Sequence, residues 1–595
     1  MTYLEVWDLE VFFEGGSKSP QFVTYVEGIK SEISELDSKV NSWQVASDEQ
    51  DMKILKEILD ILSDVKKKLF QSIAFVECLE AQNTKDLEAK KWNAKLTEIS
   101  ATLDGIQSIL EEKLMIMDEN FFEHLVQNPS FRELSFILME TRRNAKEKLS
   151  VSEEKIIQKL SIDGYHGWSQ LYDTVVGTVE IPFEENGVTS LLSVGQAANK
   201  FSHPDRNVRK QIFMEWEKAW ADKAELFAHA LNHLAGFRLS VYENRGWDNV
   251  LKEPLAISRM TQDTLNSMWQ AITENKEHLV KFLQRKAQLL GVEKLSWYDL
   301  DAPLSMTEQQ KLSYDEGAAF ILKHFSSFGE QLTAFTKKAF EDRWIEAEDR
   351  SNKRPGGFCT DFSDSKQSRI FMTYSGTLNN VSTLAHELGH AFHSYALRDV
   401  HPLNGNYAMN VAETASTFAE MIVSDAAVNE AGTKEEKIAM LEDKVQRTIA
   451  LLMNIHARFL FETRFYEERK SGTVSVERLN ELMTEAQKEA YCDALEDYHP
   501  LFWASKLHFY ISDTPFYNFP YTFGYLFSLG IYEKALESKE GFEEKYMALL
   551  KDTGCMTSED LAMKHLQEDI TKMDFWQRAV GSCVKDIELF LELTE

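Results

Sequence analysis

A mainly α-helical fold is predicted by three features of this 595-residue chain. Gly (26) and Pro (11) together reach about half of the roughly 12% found in an average protein, which leaves few breakers for a loop-rich or all-β structure. Residues 31–104 contain neither, and their apolar residues recur at helical spacing, as in Ile54, Ile58, Ile61, Leu62 and Val65. The length exceeds what one core usually holds, and 43% hydrophobic residues suffice for two or more packed subdomains.

The N-terminal third reads as a bundle of long helices. Lys56, Asp60 and Lys67 fall opposite the apolar stripe, as expected of a solvated outer face, and no chemistry is evident there. Helical patterning resumes over 196–246, where His229 and His233 form an i, i+4 pair. No acid follows the first histidine and no third ligand lies nearby, so packing or capping is expected of them. Between 352 and 377 the texture changes. Pro355-Gly356-Gly357 reads as a turn and Arg369-Ile370-Phe371-Met372-Thr373-Tyr374 as a strand, which places a small sheet just before the next helix. A strand edge there could pair with an extended peptide, with Tyr374 a candidate substrate contact; the alternative is a strand buried on both faces.

Chemistry enters at His386-Glu387-Leu388-Gly389-His390. Residues i and i+4 share a helix face about 6 Å apart in rise, so both imidazoles can reach one metal ion while Glu387 projects beside them as a base for water. Asn380 is a suitable N-cap for this helix, which is expected to run through Leu384, Leu388 and Phe392 toward Leu397. Gly389 costs it about 1 kcal/mol relative to Ala, a loss explained if another backbone packs close at that point.

A third ligand must come from another element. His393 returns to the same face but lies about 10.5 Å of rise from His386, too far along to share the ion, and Ala396 rules out the extended three-histidine motif. The next helical segment, 410–420, offers Glu413 and Glu420. A turn near Asn404-Gly405 would let an αα-hairpin bring either acid back over the motif, with Glu420, Ser416 or Thr417 available to orient a ligand.

With Val411-Ala412-Glu413-Thr414-Ala415-Ser416-Thr417-Phe418-Ala419-Glu420 after the first motif, the chain resembles the thimet oligopeptidase and oligoendopeptidase F family of zinc peptidases. Trp7-Asp8-Leu9-Glu10 with Gly15-Gly16, the stretch 229–246 and the Tyr-rich region after His508 resemble its oligoendopeptidase F branch. The resemblance implies a large two-lobed, mainly α zincin-type metallopeptidase with a small β-sheet near the active site and a deep substrate channel. It implies an N-terminal helical lobe at 1–195 and a catalytic domain at 196–595. One Zn²⁺ per chain is expected, held by His386, His390 and Glu413 with Glu387 as base, and the implied substrates are oligopeptides cut internally.

His508 precedes an aromatic stretch over 514–525 that is too rich in turn formers and phenols for ordinary helix. A phenol or imidazole N–H aimed at a developing oxyanion lowers a barrier by a few kcal/mol. In the resembling family a His followed by a Tyr-bearing loop serves this purpose, and the resemblance assigns it to His508 and Tyr525, with Tyr517 and Tyr521 as substrate-binding competitors.

The net charge of −31 opposes partnership with nucleic acid or anionic membranes. Five widely spaced cysteines (Cys78, Cys359, Cys492, Cys555 and Cys583) with no C-x-x-C pair suggest neither a disulfide framework nor a thiolate zinc site. Acids near the N-terminus where a signal peptide needs bases, and the lack of any apolar run near 18 residues, lead to an expected cytoplasmic location. Two rival readings are a zinc carboxypeptidase on a similar scaffold and a peptide-binding protein whose zinc is structural. A base at Glu387 opposes the second, since a closed structural site has no use for one.

Overall fold

The computed structural model describes residues 2–185, 187–304, 311–537 and 541–595. Three long helices, α1 (Pro20–Ser42), α2 (Glu49–Gln82) and α3 (Leu87–Ile116), build the N-terminal bundle. Each begins on a side-chain cap: Ser19 accepts from Phe22 N, Asp48 from Gln50 and Asp51 N, and Asp86 from Glu88 and Ala89 N. On α2, Ile58, Leu62 and Val65 are buried while Lys56 and Asp60 pair on the outer face. The apolar stripe read from the sequence is therefore the buried one.

A hairpin of β1 (Glu180–Glu185) and β2 (Val188–Ser193) precedes a 39-residue helix, Arg206–Asn244. The hairpin was not expected. His229 and His233 sit on this long helix, and the His233 ring stacks on Trp168 at 4.3 Å with no third ligand joining the pair among the described residues. Packing explains them.

The predicted sheet has three strands, β3 (Ile345–Glu346), β4 (Phe358–Phe362) and β5 (Gln367–Phe371), in the order β3-β5-β4. β5 runs parallel to β3 and antiparallel to β4, so it is paired on both sides and the outer edge beside the motif helix belongs to β4. Tyr374 lies beyond the strand, 6% exposed, with its hydroxyl donating to Leu312 O at 3.2 Å. That phenol is packed into the core.

Two hydrophobic cores flank the sheet. The smaller collects residues from Trp7 to Leu138 together with Phe362 and Phe371, and the larger collects residues from Tyr165 to Phe590, Ile370 and Met372 among them. Because successive side chains of a strand point to opposite faces, β5 sends Phe371 into one core and its neighbours Ile370 and Met372 into the other. The cores part between Leu138 and Tyr165, so residues 165–195 pack with the larger one. We propose that the lobes divide within 139–164, upstream of the 195/196 division expected from sequence.

The motif helix spans Leu378–Leu397. Its N-cap is Thr377 rather than Asn380: the Thr377 hydroxyl accepts from Asn380 N at 3.1 Å, and the Asn380 amide oxygen reaches back to Ser375 N and Thr377 N. Asn380 is thus the reciprocal partner of a capping box, three residues inside. Leu384, Leu388 and Phe392 bury the opposite face completely. A short helix, Met409–Ala412, leads into the ligand helix, Thr414–Glu430. The two long helices cross at Gly389, where a Cβ would lie 2.4 Å from Ala415 O and 2.6 Å from Ser416 Cα.

Gly389→Ala should therefore destabilise the protein by at least about 1–3 kcal/mol, although Ala is the better helix former, and should weaken metal retention as the helices are forced apart. The unfolding midpoint and bound zinc of the variant check this; an unchanged midpoint would show that the crossing can relax.

Candidate metal centre

His386 and His390 project from one face of the motif helix with ring centroids 4.9 Å apart. Opposite them stands Glu413, at the junction between the short helix and the ligand helix. Its Oε2 lies 3.3 Å from His386 Nε2 and 3.4 Å from His390 Nε2. Donors on a tetrahedral ion with bonds near 2.0–2.1 Å stand about 3.3 Å apart, so these separations fit one zinc. The three donor atoms all lie within 4.8 Å of one another, and this is the single such group among the described residues. The side chains keep 27%, 22% and 26% exposure for His386, His390 and Glu413, which leaves the centre open to solution on one side. Burial opposes ionisation of Glu413, but hydrogen bonds and charge from His386 and His390 outweigh it and hold the carboxyl well below the usual range.

A second layer orients these donors. Glu420 Oε2 lies 3.2 Å from His386 Nδ1, and because a carboxylate only accepts, Nδ1 carries the hydrogen and Nε2 turns its lone pair to the centre. The other oxygen of Glu420 pairs with the Arg447 guanidinium. Ser416 Oγ donates to Glu413 Oε2 at 2.7 Å. Of the two acids open from spacing, Glu413 thus meets both imidazoles and Glu420 stands behind one of them.

Glu387 is 7% exposed and its Oε2 has no hydrogen-bond partner among the described residues. Burial pushes its carboxyl up, the neighbouring His386 and His390 pull it back, and Glu413 adds a smaller upward push. Gly357, just before β4, lies beside Glu387: a Cβ there would stand in ordinary contact with Glu387 Oε1, at 3.6 Å. His393 takes no part. It is fully buried, its ring stacks on Tyr407 at 4.2 Å, and its Nε2 meets Thr553 Oγ1 at 2.9 Å.

Tyr407 is a neighbour of the site that the sequence pattern did not single out. Burial raises its phenol, with Cys359, Asp361 and Glu413 adding to the effect, which puts it on the wall between β4 and the third donor. Its position in the connection between the two ligand-bearing helices was the only available signal.

On the far side, 514–518 forms a turn, but the helix resumes at Phe519 and runs to Glu537, with Pro520 tolerated in its first turn. Part of the expected aromatic loop is therefore helical. His508, Tyr517 and Tyr521 come together, with ring centroids 5.5 Å, 6.3 Å and 5.9 Å apart for the 508–517, 508–521 and 517–521 pairs. Burial, a hydrogen bond donated to Tyr517 and the charges of Tyr517 and Glu413 raise the Tyr521 phenol; Tyr521 also lies three residues before Gly524, on the helix face that packs against Glu413. Burial, with Arg458 and Lys506 beside it, pulls His508 down to about 4 and keeps the imidazole neutral.

Tyr525 is not in this group. It is 7% exposed and its hydroxyl meets Thr448 Oγ1 at 2.9 Å and Cys583 Sγ at 3.6 Å. The residue that packs against the donor is Gly524, where a Cβ would lie 2.9 Å from Asn410 O and 3.2 Å from Glu413 Cβ. A residue one step on is rotated by about 100°, which sends Tyr525 toward the C-terminal helix, Met573–Thr594.

Comparison with known proteins places the chain among peptidases. The profile described as Peptidase family M3 matches residues 201–582, and that described as Oligopeptidase F matches 113–180. The Oligoendopeptidase F homolog of Lactococcus lactis subsp. lactis is 23% identical over 557 residues, covering 92% of this chain and 90% of that protein. A solved structure from Chlamydophila abortus, described as a peptidase, superposes with a TM-score of 0.82 at 21% identity, covering 99% of this chain and 98% of the other. Oligoendopeptidase-F from Enterococcus faecium gives 0.71 at 18% identity, covering 96% and 98%.

The position of Glu420 behind His386 generates a prediction. Glu420→Gln should weaken zinc binding by about 10–100-fold while leaving the fold intact, and Glu413→Ala should weaken it further. Competition with a chromogenic chelator measures both; equal affinity in Glu420→Gln and the parent would remove Glu420 from the support of the site.

Proposed function

The chain belongs to peptidase family M3, and from that premise we propose that it is a zinc-dependent endopeptidase that hydrolyses internal bonds of short oligopeptides. The observation that carries the reading is a buried carboxylate with an unpartnered oxygen, Glu387, beside two imidazoles and a carboxylate at ligand spacing. His386, His390 and Glu413 would hold one zinc. Bound there, zinc supplies Lewis acidity toward a peptide carbonyl and lowers the pKa of a water.

The remaining steps belong to the protein. Glu387 takes the proton of the attacking water and returns it to the leaving amine. A carboxyl raised by burial yet held down by two imidazoles suits a group that must both accept and release a proton. His508, neutral at physiological pH, donates a ring N–H to the developing oxyanion with the Tyr521 hydroxyl beside it, and Tyr517, next to both rings, binds substrate. Tyr521 takes the role that the family resemblance assigned to Tyr525. The outer edge of β4 carries no main-chain partner among the described residues, and an extended substrate pairs there as an added strand, next to Glu387, which lies beside Gly357 at the start of β4.

An extended strand reaches such a site, whereas a folded domain of 100 residues, with a radius of gyration near ~13 Å, must unfold first. The net charge of −31 argues against nucleic acid as a partner. No helix of the described residues is long and apolar enough to cross a membrane. With its cysteines free, the chain is consistent with the cytoplasmic location we propose.

Peptides of about 6–20 residues with an amidated C-terminus should be cut internally by the zinc-loaded enzyme, and stably folded proteins should survive the same treatment. Glu387→Gln should retain zinc and lose at least ~10²-fold in turnover. Mass spectrometry of the products checks both. Loss of cleavage on amidation would favour a carboxypeptidase, and near-normal turnover by zinc-loaded Glu387→Gln would exclude the base.

A further inference from the structure

The turn that carries Tyr517 is tied to a buried polar cluster on the side away from the metal centre. Arg238, 7% exposed on the helix Arg206–Asn244, donates from Nη2 to Ser512 O at 3.0 Å, and the Tyr165 hydroxyl donates to the same oxygen at 2.7 Å. Arg238 also donates from Nη1 to the Tyr466 hydroxyl at 2.5 Å. Four residues after Ser512, the Phe516 N–H donates to Oε1 of Glu462 at 3.0 Å. Arg458 Nη1 then donates to Asn518 Oδ1 at 2.9 Å. The turn is held at three points, and the middle one is Glu462, 5% exposed on the helix Ile455–Arg469.

Phe516 needs that hold. Its φ is 52°, in the left-handed region, which costs a residue with a Cβ about 1–3 kcal/mol unless the surroundings enforce it. Its ring is 1% exposed and lies 5.4 Å from Tyr466, so packing fixes the side chain. Packing leaves the buried N–H unsatisfied, and Glu462 supplies the acceptor. Burial pushes that carboxyl up to about 8, so at neutral pH it is uncharged and still accepts from Phe516. Directly after this left-handed residue comes Tyr517, with its ring 5.5 Å from His508 and 5.9 Å from Tyr521. A change of basin at Phe516 would redirect everything that follows it.

We infer that Glu462 is a positioning residue for substrate: through the Phe516 N–H it holds the left-handed turn that aims Tyr517 at His508 and Tyr521. The inference rests on the assignment of Tyr517 to substrate binding made above. It gives a use to a buried acid about which neither the metal centre nor the base chemistry says anything. The upstream hold on Ser512 does not replace it, because Asp513 and Thr514 remain free to rotate between that point and Pro515-Phe516.

Two substitutions of Glu462, each made in the parent and in a Tyr517→Phe background, test it: Glu462→Gln, which keeps an acceptor oxygen, and Glu462→Leu, which removes it at similar volume. Glu462→Leu should raise KM about fivefold with a smaller change in kcat and should lose hydrogen-exchange protection at the Phe516 amide, while Glu462→Gln stays near the parent in both. In the Tyr517→Phe background Glu462→Leu should add less than about twofold, because it acts through that side chain. Retained protection at Phe516 in Glu462→Leu, or an effect that multiplies fully with Tyr517→Phe, would overturn the inference. If Tyr517→Phe alone leaves KM unchanged, the substrate role of Tyr517 fails, and the exchange measurement still decides whether Glu462 holds the turn. Glu462→Met serves in place of Glu462→Leu if the branched variant does not fold.

Discussion

The motif helix and the ligand helix meet backbone to backbone at Gly389, and the depth of that contact fixes where Glu413 stands relative to His386 and His390. With a Cβ at 389 only 2.4 Å from Ala415 O, no other residue allows the approach. The donors come from two separate elements, so their spacing of 3.3 and 3.4 Å is a property of the crossing and not of either helix. A second glycine, Gly524, works on the other side of the same donor, where its missing side chain lets the tyrosine-bearing helix rest on Asn410 and Glu413. Close packing of helices around Glu413 thus builds the metal centre and brings Tyr521 toward it.

The electrostatics follow from that packing. Around the two imidazoles stand Glu413, Glu420 and Glu387, and each carboxylate has a distinct environment: one between both rings, one behind a ring and paired with Arg447, one buried with an oxygen that has no partner among the described residues. Their different surroundings suit the three tasks proposed for them: metal ligand, ligand orientation and proton transfer. On the opposite wall burial, with Arg458 and Lys506 beside it, keeps His508 neutral, so its ring can donate a hydrogen bond without itself adding a charge.

The sheet links the lobes by the pleat of a single strand. Phe371 of β5 enters the smaller core and Ile370 the larger, and the Arg369 guanidinium, fully buried, donates to Asp8 O. The N-terminal segment is therefore sewn to the strand that backs β4, and the polar cluster around Arg238 performs a comparable service for the turn at Phe516. In both places a buried Arg donates to a main-chain carbonyl of a segment distant in sequence, Asp8 O from Arg369 and Ser512 O from Arg238. Much of this architecture is legible in the amino-acid pattern: the breaker-free N-terminal stretch forms three helices with the expected buried face, and the change of texture after residue 352 marks a sheet. The hairpin of β1 and β2 also has a local signal, the turn dipeptide Asn186-Gly187. The division of the lobes that we propose within 139–164 has no mark in the sequence, because the helical patterns on either side of it look alike and only the cores to which they contribute differ.

By itself the sequence determined what rests on covalent geometry within one element. The period of 3.6 residues puts His386 and His390 on one face, excludes His393, and makes Gly389 conspicuous. It could not rank Asn380 against Thr377 as a cap, since both residue types suit the position and the choice depends on where the chain leaves Ser375. Nor could it choose among Tyr374, Tyr517, Tyr521 and Tyr525. Those choices belong to the tertiary structure: Gly524 turns its own face to Glu413, Tyr525 is carried round to Thr448 and Cys583, and Tyr374 is drawn under Leu312. Which phenol reaches the metal centre is set by how one helix is rotated against its neighbours, and no local spacing records that rotation.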